Sequence, residues 1–211
     1  MLNISLISGR SFKIVNGTKF SVKIEGTQDE KESISVKNNG NEYSIIQTGG
    51  NNNISISGSN FSFSGNSTIS INGSSIVVNG DIIGNKHTKE STLDIVVEIP
   101  NIIDIDFSIS GCYKEVSIED VGNLTFKNSG SGDSIFKSSK NLDAKISGQG
   151  HMKIKKVQGD IDVKISGQGG IQIDDAISND ANLKISGQGN INIIGDIGDI
   201  DAKISGMGNV S

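Results

Sequence analysis

An all-β fold, wound as a parallel β-solenoid with coils of about 19 residues, is what this sequence predicts. Three observations carry it. The hexapeptide KISGQG occurs at Lys145–Gly150, Lys164–Gly169 and Lys184–Gly189, and returns as KISGMG at Lys203–Gly208. A Ser-Gly pair recurs at Ser110, Ser129, Ser147, Ser166, Ser186 and Ser205, with spacings of 19, 18, 19, 20 and 19 residues. Between these pairs apolar and polar residues alternate, as in Ile161, Val163 and Ile165 against Asp162, Lys164 and Ser166. A period of two places successive side chains on opposite faces of a strand.

The elements follow in order. Stacked as rungs, Ile146, Ile165, Ile185 and Ile204 fall into one interior column. Met152, Ile171 and Ile191 fall into a second, and Ile154, Ile173 and Ile193 into a third. Rungs lie about 4.8 Å apart, so each column is a continuous apolar contact. One coil cannot bury its own apolar face, whereas a stack can. The Ser-Gly-x-Gly stretches interrupt the strands and read as corners, with glycine supplying positive φ. The composition agrees, with 27 Gly and 1 Pro among 211 residues. Aromatics make up only 4% and Trp is absent, so large rings are not expected to dominate the core. The glycine and β-branched content argues against helices almost everywhere.

The corners occupy the later part of the chain, which divides into residues 1–92 and 93–211. The first part reads as a β-rich region that caps the solenoid or extends it. Stretches such as SFKIVNG and FSVKIEG are strands between turn residues and suit hairpins. The run from Asn53 to Gly84 alternates with frequent glycine, as a second set of short rungs or as a β-region leading into them. Gly84 to Thr92 reads as a loop or boundary.

The corner motif resembles the head GIN domain of putative auto-transporter adhesins, a family that repeats a Ser-Gly-x-Gly corner at intervals near twenty residues. The resemblance covers about residues 93–211. LDIVVEIPNIIDIDFSISG is similar to the family's opening strand, with an acidic-apolar-Pro turn at Glu98-Ile99-Pro100. The chain departs from the pattern at Cys112-Tyr113 and at Met207. The resemblance implies a right-handed parallel β-helix and a cell-surface or extracellular setting. It brings no catalytic residues.

Charge and composition exclude other classes. Net charge is −5, and Arg10 is the sole arginine. A nucleic-acid footprint is therefore missing. No run of apolar residues is long enough for a membrane helix. The first fifteen residues lack the basic and apolar regions of a secretory signal. The compartment stays open between retention, export by another route and removal of a leader. The single cysteine, Cys112, forbids an intrachain disulfide and reads as a free structural thiol.

The chemistry-bearing residues form columns. Asp143, Asp162 and Asp201, with Asn182 between them, recur at one outward position. Lys145, Lys164, Lys184 and Lys203 recur two residues later. This candidate binding face suits a polysaccharide cleft, with paired carboxylates for glycoside hydrolysis or a calcium site as sharper variants. The plainer reading is a solvated face of compensating charges, which the regularity favours. Catalysis needs one asymmetric site, and a ladder offers several equal ones. His87 and His151 lack companion ligands at metal spacing, so no metal, cofactor or catalytic group is expected. The function expected is that of a non-catalytic, adhesin-like or structural β-solenoid binding a glycan or cell-envelope component. Self-assembly of copies through open solenoid ends is the alternative, and a carbohydrate-active enzyme the third reading.

Overall fold

The computed structural model describes residues 1–38, 42–48, 69–72, 75–78, 81–85, 91–100 and 102–211. His87, most of the run from Asn53 to Gly84 before Ile69, and the candidate loop beyond Asn85 as far as Glu90 lie outside them.

The chain begins inside the solenoid. Strands β1 (Leu2–Leu6) and β2 (Gly9–Asn16) make its first rung. Then come β3 (Ser21–Glu25), helix α1 (Gln28–Glu32), β4 (Ile34–Asn38) and β5 (Tyr43–Gln47). Strands β6 (Ile69–Asn72), β7 (Ser75–Val78) and β8 (Asp81–Asn85) form a separate antiparallel sheet. Of the two sequence alternatives, 69–85 therefore does not make rungs. The connections are too short, since parallel pairing needs a crossover of about a dozen residues.

Strand β9 (Asp94–Ile99) returns the chain to the base. The rungs then climb through β10 (Ile105–Ile109) and β11 (Tyr113–Asp120), β12 (Leu124–Asn128) and β13 (Asp133–Ser139), and β14 (Leu142–Ile146) and β15 (His151–Val157). They continue through β16 (Ile161–Ile165), β17 (Gly170–Ile185), β18 (Asn190–Ile204) and β19 (Asn209–Val210). The long strands β17 and β18 each run from one side of the solenoid to the next coil. The first side stacks β1, β10, β12, β14, β16 and the ends of β17 and β18, all parallel. The second side stacks β2, β11, β13, β15, the starts of β17 and β18, and β19.

The three columns expected from the repeat are present in register. Ile146 pairs with Ile165, Ile165 with Ile185 and Ile185 with Ile204. Met152, Ile171 and Ile191 align, as do Ile154, Ile173 and Ile193. Ile165 and Ile185 are each 1% exposed, whereas Ile204 is 47% exposed, because no rung of this chain lies above it.

Few as they are, the aromatics are concentrated. Phe12, Phe107, Phe126 and Phe136 are all buried in the lower rungs. Phe12 stacks on Phe107 at 5.1 Å, and Phe126 meets Phe136 edge-on at 5.1 Å. The lower core is thus aromatic and the upper core aliphatic.

The base is closed by strands of opposite direction. β5 lies parallel to β1, and β4 then pairs antiparallel with β5. β9 lies parallel to β2, and β3 pairs antiparallel with β9. SFKIVNG and FSVKIEG therefore do not form a hairpin with each other. β2 is taken by rung partners on both edges, leaving β3 to pair with β9. An edge occupied this way no longer templates further parallel rungs.

The corner glycines correct the sequence reading. Among them only Gly132 has a positive φ, +106°. The rest are required by close approach. In each corner the carbonyl of the first glycine accepts the N–H of the x residue one rung on, as Gly148 accepts from Gln168 at 3.0 Å and Gly167 from Gln188 at 3.0 Å. A β-carbon at Gly167 would collide with the Gly148 carbonyl oxygen, and one at Gly187 with that of Gly167. The second glycines behave alike, with Gly169 over Gly150 and Gly189 over Gly169. Where the motif departs, at Tyr113, the ring is buried and its hydroxyl donates to Gln47 Oε1 at 3.0 Å. Gly9, one rung below, leaves room for that ring.

The one α-helix among the described residues, α1, escaped the sequence reading. Its signal is local: Thr27 and Glu30 form a capping box. Glu30 also latches the returning chain. Its carboxylate accepts from Thr27 N–H at 2.8 Å, Ser91 Oγ at 2.8 Å, Thr92 N–H at 2.9 Å and Thr92 Oγ1 at 2.7 Å. Burial pushes its pKa up, but these hydrogen bonds outweigh it and hold the group at about 2. The folded value lies below the unfolded one, so the stability it contributes is present above about pH 4.5 and is lost as pH falls towards 2. Glu30→Gln should lower stability at neutral pH by about 1–2 kcal/mol, after discounting for solvent screening. It should also flatten the acid limb of a plot of melting temperature against pH. A variant whose melting curve matches the wild type at neutral pH and near pH 3 would show that this latch stabilises nothing.

Candidate functional site

The first side carries two ladders of functional side chains. Alternation within each strand sends inner residues to the core and outer ones to solvent. Because every strand is parallel and in register, outer residues repeat directly above one another. Asp106, Thr125, Asp143, Asp162, Asn182 and Asp201 form one column. Ser108, Lys127, Lys145, Lys164, Lys184 and Lys203 form the next. The eight residues singled out from the sequence thus lie together on one side.

Three of the lysines reach back to the carboxylate two residues before them. Lys145 Nζ lies 3.3 Å from Asp143, Lys164 Nζ 3.4 Å from Asp162, and Lys203 Nζ 3.1 Å from Asp201. Lys127 reaches one rung down to Asp106 at 3.5 Å. All are substantially exposed, and such pairs are worth about 0–1 kcal/mol each. A ligand can therefore exchange with them at little cost. Lys184 differs: Asn182 stands where a carboxylate would be, and Lys184 makes no ion pair with a described residue. The Asn182 amide instead donates to Asp162 at 3.5 Å. That amide also interrupts a run of stacked like charges.

Grooves flank the ladders. One, of about 720 Å³, runs along the axis between the lysines and the corner serines, including Ser147, Ser166 and Ser186, over the backbone at Ile146, Ile165 and Ile185, whose side chains point into the core. The serine column and its nearness to the lysines were both open to the sequence, since Lys and Ser stand two residues apart and share the outer face. The other groove, of about 550 Å³, lies on the far edge of the aspartate ladder and adds Asp160, Asp180 and Asp199. Among the described residues no group of three His, Cys, Asp or Glu is placed to hold a metal ion. His151 lies on the second side, exposed, with Nδ1 3.4 Å from Asp133. Cys112 is free, but it is exposed at a corner rather than packed as a small core residue. No helix among the described residues is long and apolar enough to cross a membrane.

Solved structures of this shape exist. A "putative adhesin" from Bacteroides fragilis superposes with a TM-score of 0.59 at 14% identity, covering 99% of this chain and 90% of that one. A "putative lipid binding protein" from Parabacteroides distasonis aligns over 99% of this chain and 92% of that one at 15% identity, with a TM-score of 0.44. A "putative cell adhesion protein" from Clostridium sporogenes aligns over 99% and 89% at 12% identity, with a TM-score of 0.30. The first supports the fold; the other two superpose too loosely to carry an argument. No curated protein matches the chain. The family profile described as "Putative auto-transporter adhesin, head GIN domain" matches residues 3–211, about ninety residues further towards the N-terminus than the resemblance seen in the sequence. That extension agrees with β1 and β2 forming a rung of the same solenoid. The chain belongs to the head GIN domain family of putative auto-transporter adhesins.

Proposed function

We propose that this protein is a non-catalytic, adhesin-like β-solenoid at the cell surface or outside the cell, binding a linear acidic glycan or cell-envelope polymer along its first side. The observation that carries this reading is the groove of about 720 Å³ between the lysine ladder and the corner serines. It presents cations at rung spacing and hydroxyls beside them, across the strand backbone. An extended polymer with a charge on successive units can meet successive rungs. Lys184, which has no carboxylate to displace, is the natural anchor. The ladder supplies repeated equal contacts, which suits adhesion by many weak interactions rather than turnover at one centre.

The test is titration with polygalacturonate, a linear carboxylated glycan, against a neutral glucan of similar length. Wild type should bind the acidic chain more tightly, with affinity falling as salt rises. The double variant Lys164→Gln, Lys184→Gln should weaken binding about tenfold. Equal affinity for both polymers, or a double variant that binds like wild type, would remove this reading.

A further inference from the structure

A second site lies on the other side of the solenoid, built around one glycine that the fold does not demand. Among the glycines of residues 1–38 and 91–211, all but Gly170 would bring an added β-carbon to within 3.0 Å of another atom. At Gly170 the nearest atoms are the movable His151 ring carbon Cδ2 at 3.2 Å and Asn190 O at 3.3 Å. Gly170 also has no positive φ. Its column reads Asp133, His151, Gly170, Asn190, Asn209. Gly170 lies within a depression of about 360 Å³, and the His151 ring leans over its missing side chain.

The walls of this depression are amide-rich. Gln168, Gln172, Asn190 and Asn192 line it, together with His151, Asp133 and Lys153. An amide both donates and accepts, which suits a ligand whose groups do the same. The two charged groups in the lining are engaged. Lys153 Nζ lies 3.1 Å from Asp174, and Asp133 faces His151 at 3.4 Å. Gln172 is held by a hydrogen bond from its amide nitrogen to Asp174 at 2.7 Å, which orients the side chain. Ile135, 52% exposed, adds apolar surface at one end. Hydroxyl edges and a C–H face are the two surfaces of a sugar ring, and the volume falls in the range of small-ligand pockets.

We propose that the notch at Gly170 is a subsite for a neutral hexose or N-acetylhexosamine. It lies on the opposite side from the lysine groove and does not rest on that groove's role. The test is amide-resolved NMR of the full chain titrated with glucose, galactose, mannose, N-acetylglucosamine and N-acetylgalactosamine. At least one sugar should shift the side-chain amides of Gln168, Gln172, Asn190 and Asn192 together. Gly170→Asn, which places in this rung the residue found in the two rungs above, should weaken that sugar about tenfold or more. Asn192→Ala, an exposed substitution that leaves the backbone packing alone, should weaken it in the same direction. The Lys164→Gln, Lys184→Gln protein should bind it unchanged. No concerted shift with any of the five sugars, or wild-type affinity in both the Gly170→Asn and Asn192→Ala proteins, would overturn the proposal.

Discussion

Gly167→Ala is expected to destabilise the protein by about 3 kcal/mol or more, the upper part of the overpacking range. The new methyl would collide with the Gly148 carbonyl oxygen and crowd the Ser147 backbone. Neither can yield cheaply. The Gly148 carbonyl is the acceptor for Gln168 N–H at 3.0 Å, so moving it breaks the ladder that sets rung spacing. The strain also passes upwards, because Gly187 rests against the Gly167 carbonyl in the same way. Gly170→Ala, three residues on, is the internal comparison. It meets no backbone atom closer than 3.3 Å and should fall within about 1 kcal/mol of wild type, where reduced freedom of the unfolded chain offsets mild crowding. Urea denaturation of the two variants measures the difference. Equal midpoints would show that corner glycines are not selected by close approach.

Residues 93–211 expressed alone are expected to lose cooperative folding, although they contain every copy of the corner hexapeptide. Removing residues 1–92 takes β1 from beneath β10 and β2 from beneath β11. It strips β9 of both its partners, β2 and β3. Phe107 loses its stacking on Phe12 at 5.1 Å, and the open edges become templates for association. Deletions of this kind expose several fully buried side chains at once, each worth about 1.5–3 kcal/mol when buried. That exceeds the roughly 5–15 kcal/mol that holds a domain folded. Light scattering and thermal melting of the fragment are the measurements. A soluble, monomeric fragment with a sharp transition would show that the solenoid does not depend on its base.

Much of the candidate face was legible because a parallel solenoid converts sequence period into spatial adjacency. Asp143, Asp162, Asn182 and Asp201 share a place in the repeat, and so they share a column. The same rule covers the serines beside the lysines, because Lys and Ser stand two residues apart on the same face. The rule does not reveal Gly170 as exceptional. In sequence it is one glycine among 27, and only the space around each β-carbon position separates it from the rest. Glu30 illustrates the same limit. The capping box with Thr27 can be read locally, but its bonds to Ser91 and Thr92 span about sixty residues.

By itself, the sequence determined the rung length, the three apolar columns and the order of the charged ladders. These follow from periodicity, and periodicity survives without knowledge of where the chain turns. Only the tertiary structure decided how the base is closed, why the corners need glycine and which four phenylalanines form the aromatic core. Those depend on contacts between residues with no repeat relation to one another. β2 pairs with β9 across about eighty residues because both can donate a full strand edge, and no local pattern announces that partnership.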